Sequence, residues 1–427
     1  MKKKNLKMSI RLLNGNNIDS DQIKTDKISV SPTNLDLGKE KKVVQKKKSI
    51  IINENKKSVN GNNDELSEKK NKLIMTIQNE LQNKFKEKRT ISLKNSTLNG
   101  DYSYINSLIL CLSNLPDLLL YLQKNINDLN NRQKFPISYT FFSVIEHLFI
   151  HYPKKAPFVD SSRIIKIINH CYPFLKISRN PVDLFGLLMQ DIHEELNTKK
   201  NKKKPIIIKK DVDNRNFNNV IEQRIIDFND NNESIISQLF NSFYKKEIRC
   251  PGCNNAFYEL QNFITFDLDP INTYKNYKKN IVTINDCLKY YVSPIISTKI
   301  CSICNHSSKF VEKKNIFLLS NNLVFGINRN NSEQEQLMLK IKFIYEEILD
   351  ISKYIDKKLV EIKAEYILVA VVAYFIEKKK FVAFCKNLVI DEWVYFDDDL
   401  INQCNYNYIV NNSTPYLLFY KMLDDIK

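Results

Sequence analysis

The sequence predicts an α+β fold behind a long basic tail, and three observations carry that expectation. Helical spacing of apolar residues dominates from Ile91 to Leu196, whereas short β-branched and aromatic runs dominate after Ser234. The composition changes near residue 90 from Lys and Asn to Leu, Ile and Phe. Two Cys-x-x-Cys pairs lie within the β-rich part.

Residues 1–90 hold 22 basic and 11 acidic side chains and a single aromatic residue, Phe85. So little apolar surface does not offset the entropy of ordering, and the segment is expected to be a disordered Lys/Asn-rich tail. Its Lys runs, Lys2–Lys4 and Lys46–Lys48, read as solvated charge or as contacts for import factors or RNA. The spacing of Leu66, Leu73, Ile74, Ile77, Leu81 and Phe85 permits one helix between Glu65 and Lys88.

A domain is expected over 91–427. Its first helix covers Asn106 to Gln123, with Asp101 or Ser103 as N-cap, and further helices cover Phe141 to His151 and Pro181 to Leu196. Lys and Asn return over about 197–233, which reads as a surface insertion. Strands follow at Phe257 to Phe266, Ile316 to Ile327, Tyr366 to Phe375, Phe381 to Cys385 and Tyr416 to Tyr420.

Charge and glycine content exclude several functions. Lys and Arg number 65 against 48 Asp and Glu, a net +17, but most of the excess sits in the tail. A dedicated nucleic-acid-binding domain is not indicated beyond that tail. With 7 glycines and neither GxGxxG nor GxxxxGK[ST], nucleotide binding of the common kinds is not expected. The longest apolar stretch, Tyr366 to Ile376, is about half of what a membrane-spanning helix needs. Nine cysteines behind a polar, Lys-rich start point to a reducing compartment, cytoplasm or nucleus.

Cys250-Pro-Gly-Cys253 and Cys301-Ser-Ile-Cys304 form the metal constellation. Each pair places two thiolates on one ion, and the two together close a tetrahedral zinc shell with no position left for water. Such a site is structural. The other cysteines, Cys111, Cys171, Cys287, Cys385 and Cys404, read as small hydrophobes.

Several segments resemble, in order, the ubiquitin-specific proteases. Leu98 through Leu112, followed by Ser113-Asn114-Leu115-Pro116, resembles that family's NxGNTCYMNSxLQxL box. Asp183-Leu184-Phe185 through Leu196, Asn322 through Arg329, Tyr366 to Val372, Trp393 through Asp398, and Tyr416 to Tyr420 resemble its later motifs. The resemblance implies a papain-like cysteine-protease fold with thumb, palm and zinc-ribbon fingers, the fingers at about 234–330. It also implies ubiquitin or a ubiquitin-like protein as partner. Carried over residue by residue, the nucleophile position falls on Ser103, the base on Lys380, the third triad member on Asp397 and the oxyanion position on Leu98. Only Asp397 is of the family's type.

A serine hydroxyl needs a positioned base, and Lys380, with an ordinary pKa of about 10.4, is charged at neutral pH. No histidine follows His306, so a shift of a few residues in the match does not restore an imidazole. The expectation is therefore a pseudoenzyme that binds ubiquitin, a ubiquitin-like protein or another protein partner without hydrolysing it. Two other readings stand beside it. One is an active thiol isopeptidase with atypical residues, Cys111 being the thiol nearest Ser103 in sequence. The other is a scaffold similar to a spliceosome-associated family member that also lacks the Cys and His, although the zinc finger upstream in that subtype has no counterpart here.

Overall fold

The computed structural model describes residues 60–80, 91–95, 97–129, 131–149, 158–199, 207–208, 217–305, 307–329, 341–356, 363–388 and 390–423. The chain divides into two units, Met1–Gly61 and Asn62–Lys427. Apart from 60 and 61, the first unit lies outside the described residues, and with it both Lys runs.

An eight-stranded sheet organises the second unit. Its main path runs Leu400–Cys404, Glu392–Asp397, Lys380–Asn387, Glu365–Phe375, Thr414–Met422, Asn322–Ile327, Phe266–Leu268, with Ile348–Asp350 paired to Glu365–Phe375. Neighbours are antiparallel except Phe266–Leu268, which runs parallel to Asn322–Ile327. The strand Glu365–Phe375 reads as an unbroken apolar run because both its faces are covered. Ile367, Val369, Ala370 and Val372 enter the core shared with the helices, while Tyr366, Leu368, Val371, Ala373 and Phe375 enter a second core on the opposite face. A bulge between Leu368 and Ala370 lets adjacent Val369 and Ala370 share a face.

The helices Ser103–Leu112, Pro116–Asn125, Pro136–Phe149, Ser162–Cys171 and Pro181–Leu196 supply the first core. The single helix expected over Asn106 to Gln123 is in fact two, bent by 78° at Ser113–Leu115. Pro116 causes the break: it has no N–H to donate, and it holds Leu115 in extended backbone (φ −77°, ψ 118°). Leu108, Leu112, Leu115 and Leu119 are nonetheless all buried. Asn180 caps Pro181–Leu196 by accepting from the Val182 N–H, and Glu195 at the far end of that helix accepts from the Ile137 and Ser138 N–H groups that open the next helix in the bundle.

The finger sheet has five antiparallel strands, ordered Ile207–Ile208, Ala256–Phe263, Ser242–Arg249, Ser307–Leu318, Ile295–Ile300. The runs expected as Phe257 to Phe266 and Ile316 to Ile327 each divide between this sheet and the larger one. The Lys/Asn-rich insertion contributes the helix Phe217–Asn231, whose Ile221 packs with Phe243 and Phe317.

The helix that the spacing permits between Glu65 and Lys88 is present as Asn60–Glu80, with Leu73 and Ile77 buried in the first core, and 81–88 lie outside the described residues. Leu73 and Ile77 are one turn apart and so share a face. Ion pairs Lys69–Glu365 (2.6 Å), Lys363–Glu65 (2.6 Å) and Lys70–Asp391 (2.5 Å) fix the helix to the large sheet.

Candidate functional site

The helix Ser103–Leu112 packs against the strand Lys380–Asn387, and this brings Ser103 to the start of that strand. Neither expected residue is the N-cap. Tyr102 occupies that position, and the Asp101 carboxylate accepts from the Ser103 N–H at 2.9 Å. The Ser103 hydroxyl is buried, 6% exposed for the residue, and its oxygen accepts from the Phe381 N–H at 2.9 Å. It ties the helix start to the strand.

Lys380 immediately precedes that N–H. Its ammonium forms ion pairs with Asp397 and, at 3.0 Å, with Asp398. Asp397 also accepts from Lys378 Nζ at 2.7 Å and from the Tyr395 hydroxyl at 2.9 Å. The turn through Lys379 (φ +53°) directs the exposed Lys378 side chain onto Asp397, and its Nζ also donates to Tyr395 at 3.2 Å. Sequence reasoning missed Lys378, Tyr395 and Asp398 as partners; the only signal was the density of Lys and Asp at 378–380 and 397–399.

These contacts determine protonation. Burial alone would lower the Lys380 pKa, but hydrogen bonds to Asp397 and Asp398 outweigh it and hold the ammonium above its ordinary value. Burial would likewise raise Asp397, yet Lys378, Lys380 and Tyr395 keep its carboxyl below the usual range. Tyr395 is pushed up by burial and then by Asp397. The cluster is a salt-bridged lattice in its charged form.

Leu98 is half-buried against the first core, and its backbone N–H and C=O are both taken by Asn95 (2.9 and 2.6 Å). Its side chain offers no donor. Cys111 is fully buried, eight residues and so about 12 Å along the helix axis from Ser103. Of the histidines, His147 bonds the Ser143 carbonyl and His193 pairs with the Ser234 hydroxyl, while His151 and His306 lie outside the described residues.

The four cysteines at the fingertip converge. Their sulfurs all lie within 4.8 Å of one another, with Cys250–Cys304 at 3.9 Å and Cys253–Cys301 at 3.7 Å. A tetrahedral ion with metal–sulfur bonds of about 2.3 Å requires sulfur–sulfur edges of about 3.8 Å. The set fits such an ion. Asn254 and Asn305, each following the second Cys of a pair, adopt left-handed backbone (φ +54° and +53°), the turn that aims both thiols the same way. The Asn255 amide and Ile303 N–H donate to the Cys253 and Cys301 sulfurs, as outer contacts to ligands of a metal would. Hydrogen bonds from the Asn255 backbone and side chain hold the Cys253 thiol below its ordinary pKa. Ile248, Phe257 and Phe310 pack around the cluster.

Fold and site together define a papain-like thumb and palm joined to a four-cysteine finger. A sequence model described as ubiquitin carboxyl-terminal hydrolase matches residues 92–420, and the chain belongs to that family. Among curated relatives, it is 24% identical over 175 residues to putative ubiquitin carboxyl-terminal hydrolase 11 of Arabidopsis thaliana, 40% of this chain and 19% of that one. It is 24% identical over 207 residues to ubiquitin carboxyl-terminal hydrolase 5 of the same plant, 47% of this chain and 22% of that one. The matched part thus spans about a fifth of those relatives' length. Among solved structures, the SAGA DUB module of Ubp8, Sgf11, Sus1 and Sgf73 bound to monoubiquitin superimposes with a TM-score of 0.58 at 16% identity, covering 79% of this chain and 70% of the other. The same module bound to ubiquitin aldehyde gives 0.54 at 18%, covering 80% and 71%. These likenesses establish the fold.

Proposed function

We propose that the chain is a ubiquitin-specific-protease-fold pseudoenzyme, binding ubiquitin, a ubiquitin-like protein or another protein partner without cleaving it. The observation that carries the reading is the lattice at Lys380. Lys380, the residue the family resemblance puts at the base position, is an ammonium held by Asp397 and Asp398, and the Ser103 hydroxyl accepts from the Phe381 N–H. By the family resemblance, position 103 corresponds to the nucleophile, 380 to the base, 397 to its orienting partner and 98 to the oxyanion donor. Here Ser103 and Asp397 serve instead to dock helix and strands. Losing a triad costs about 10⁴ to 10⁶ in turnover, and losing an oxyanion donor a further 10² to 10³ or so.

In this reading the fingertip ion is zinc, bound by Cys250, Cys253, Cys301 and Cys304. It would supply fold stability alone, because four thiolates leave no position for substrate. Ubiquitin as partner is supported by the ubiquitin-bound neighbours and by family membership. The test has two arms on the purified full chain. A ubiquitin carrying a C-terminal electrophile should form no adduct, while labelled ubiquitin should bind in a titration. An adduct at Cys111 would establish the thiol-isopeptidase alternative instead.

A further inference from the structure

Exposed aliphatic side chains gather at the far end of the finger. Ile295 is 52% exposed, Ile296 67%, Ile300 75%, Ile303 50% and Val311 38%. They surround the tip and do not lie on one surface. Ile296, Ile300 and Val311, the last opposite Ile296, share one face of the strand pair Ile295–Ile300 and Ser307–Leu318. Ile295 is on the other face, and Ile303 stands in the Cys301–Cys304 turn beyond the strand end.

Wherever the charge of this tip is free, it is basic. Over 247–256 and 295–313 the sequence sets Arg249, Lys299, Lys309 and Lys313 against Glu247 and Glu312. Both carboxylates are engaged within the finger, Glu247 by Arg249 at 2.6 Å and Glu312 by Lys246 at 2.5 Å and Lys299 at 2.6 Å. Lys309 and Lys313 are exposed, and among the described residues neither has an ion pair, although Lys313 lies across from Glu247. Lys309 is opposite Thr298 and so on the face of Ile296 and Ile300.

The pattern selects the occupant. A protein laid on one face of the sheet would cover Ile296 and Ile300 but not Ile295. Thr298 and Lys309 interrupt the apolar side chains, so the tip offers no continuous strip to a packed protein interface. At a bilayer surface the same interruption is favourable. Aliphatic side chains enter the acyl boundary, lysine stems lie along it, and the ammonium groups rise to anionic headgroups. A fluid interface also closes around a protruding tip from every side, with no partner shape to match. Such a contact is peripheral: among the described residues no single helix is long and apolar enough to cross a bilayer.

We infer that the fingertip is a peripheral docking site for an anionic phospholipid surface, entered by Ile300 and Ile303 with Lys309 among the headgroups.

The basic residues before Ile91 are a second source of attraction to anionic vesicles, so the readout sits at the tip. The full chain carrying Ile303→Trp is mixed with phosphatidylcholine vesicles with and without phosphatidylserine. Trp393, the only other Trp, is 4% exposed, so the new indole reports the tip. With phosphatidylserine its emission should shift to the blue and be quenched by bromine-labelled acyl chains; with phosphatidylcholine alone it should not move. Ile300→Trp gives a second reporter on the strand. Ile300→Ser and Lys309→Glu should each weaken cosedimentation with the phosphatidylserine vesicles by about threefold or more, circular dichroism and metal content being unchanged. Emission that stays fixed while the chain cosediments would overturn the inference, because N-terminal charge alone then holds the vesicle. So would absence of cosedimentation, or an Ile300→Ser variant that binds vesicles as the wild type does but ubiquitin more weakly, which would give the tip to the protein partner.

Discussion

Replacing Asp397 by Asn tests whether the lattice beside Ser103 has become a structural element. The Asp397 side chain is 5% exposed and accepts from Lys380, Lys378 and Tyr395. Asn keeps the shape but loses the charge, and it turns an amide N–H₂ toward an ammonium. Breaking a buried pair costs about 3 to 5 kcal/mol. The partners are less buried, Lys380 at 26% and Lys378 at 43%, so both regain water and the cost falls to about 2 to 3 kcal/mol. That corresponds to a drop in Tm of about 3 to 4 °C for a domain of this size. The pH dependence has a definite sign. The folded carboxyl titrates below its ordinary 3.8, so its contribution is complete above that value and is lost as pH falls through the lower folded pKa. The wild-type advantage should therefore be constant from about pH 5 to 8 and shrink only in acid. Urea titration and thermal melts at several pH values would measure it. An Asn variant as stable as wild type, or more stable, would refute the reasoning, because carboxylates kept for chemistry commonly destabilise the fold.

Other outcomes follow from the same geometry. Metal analysis should find one zinc per chain, and Cys250→Ser with Cys301→Ser should abolish it and lower the urea midpoint; a metal-free protein of unchanged stability would contradict the fingertip assignment. Leu73→Ala should destabilise by about 2 kcal/mol, as expected for a buried Leu at the edge of a core, and a neutral result in urea titration would mean that the helix Asn60–Glu80 does not dock. Ser103→Cys alone should give negligible ubiquitin hydrolysis, since Lys380 does not accept the thiol proton. Adding Lys380→His and Leu98→Asn should give more, and full activity from the single substitution would contradict the protonation argument.

Much of this architecture was legible because its signals are local. The helix Pro181–Leu196 shows its period and its Asn180-Pro181 start, and the fingertip shows two Cys-x-x-Cys-Asn turns. The positions of Ser103, Lys380 and Asp397 followed from motif order; in the structure Lys380 pairs with Asp397, and Ser103 bonds the N–H of the neighbouring Phe381. What escaped was non-local or decided by a single residue. The bend at Pro116 was written in the sequence but masked by a Leu pattern that continues through it. The bulge at Leu368–Ala370 leaves no mark in a wholly apolar run. Docking of Asn60–Glu80 depends on Glu365 and Asp391, about three hundred residues away, where composition alone showed a polar tail. Lys378 is exposed in a turn, as a Lys run usually is, and only the turn at Lys379 shows that it also meets a buried carboxylate.

On the proposed reading, the site beside Ser103 does not hydrolyse ubiquitin conjugates. The most direct measurement compares turnover of a ubiquitin C-terminal fluorogenic amide by the wild-type full chain and by Ser103→Ala, both zinc-loaded and at matched concentration. The two rates should be indistinguishable from each other and from buffer. A wild-type rate well above that of Ser103→Ala would contradict it.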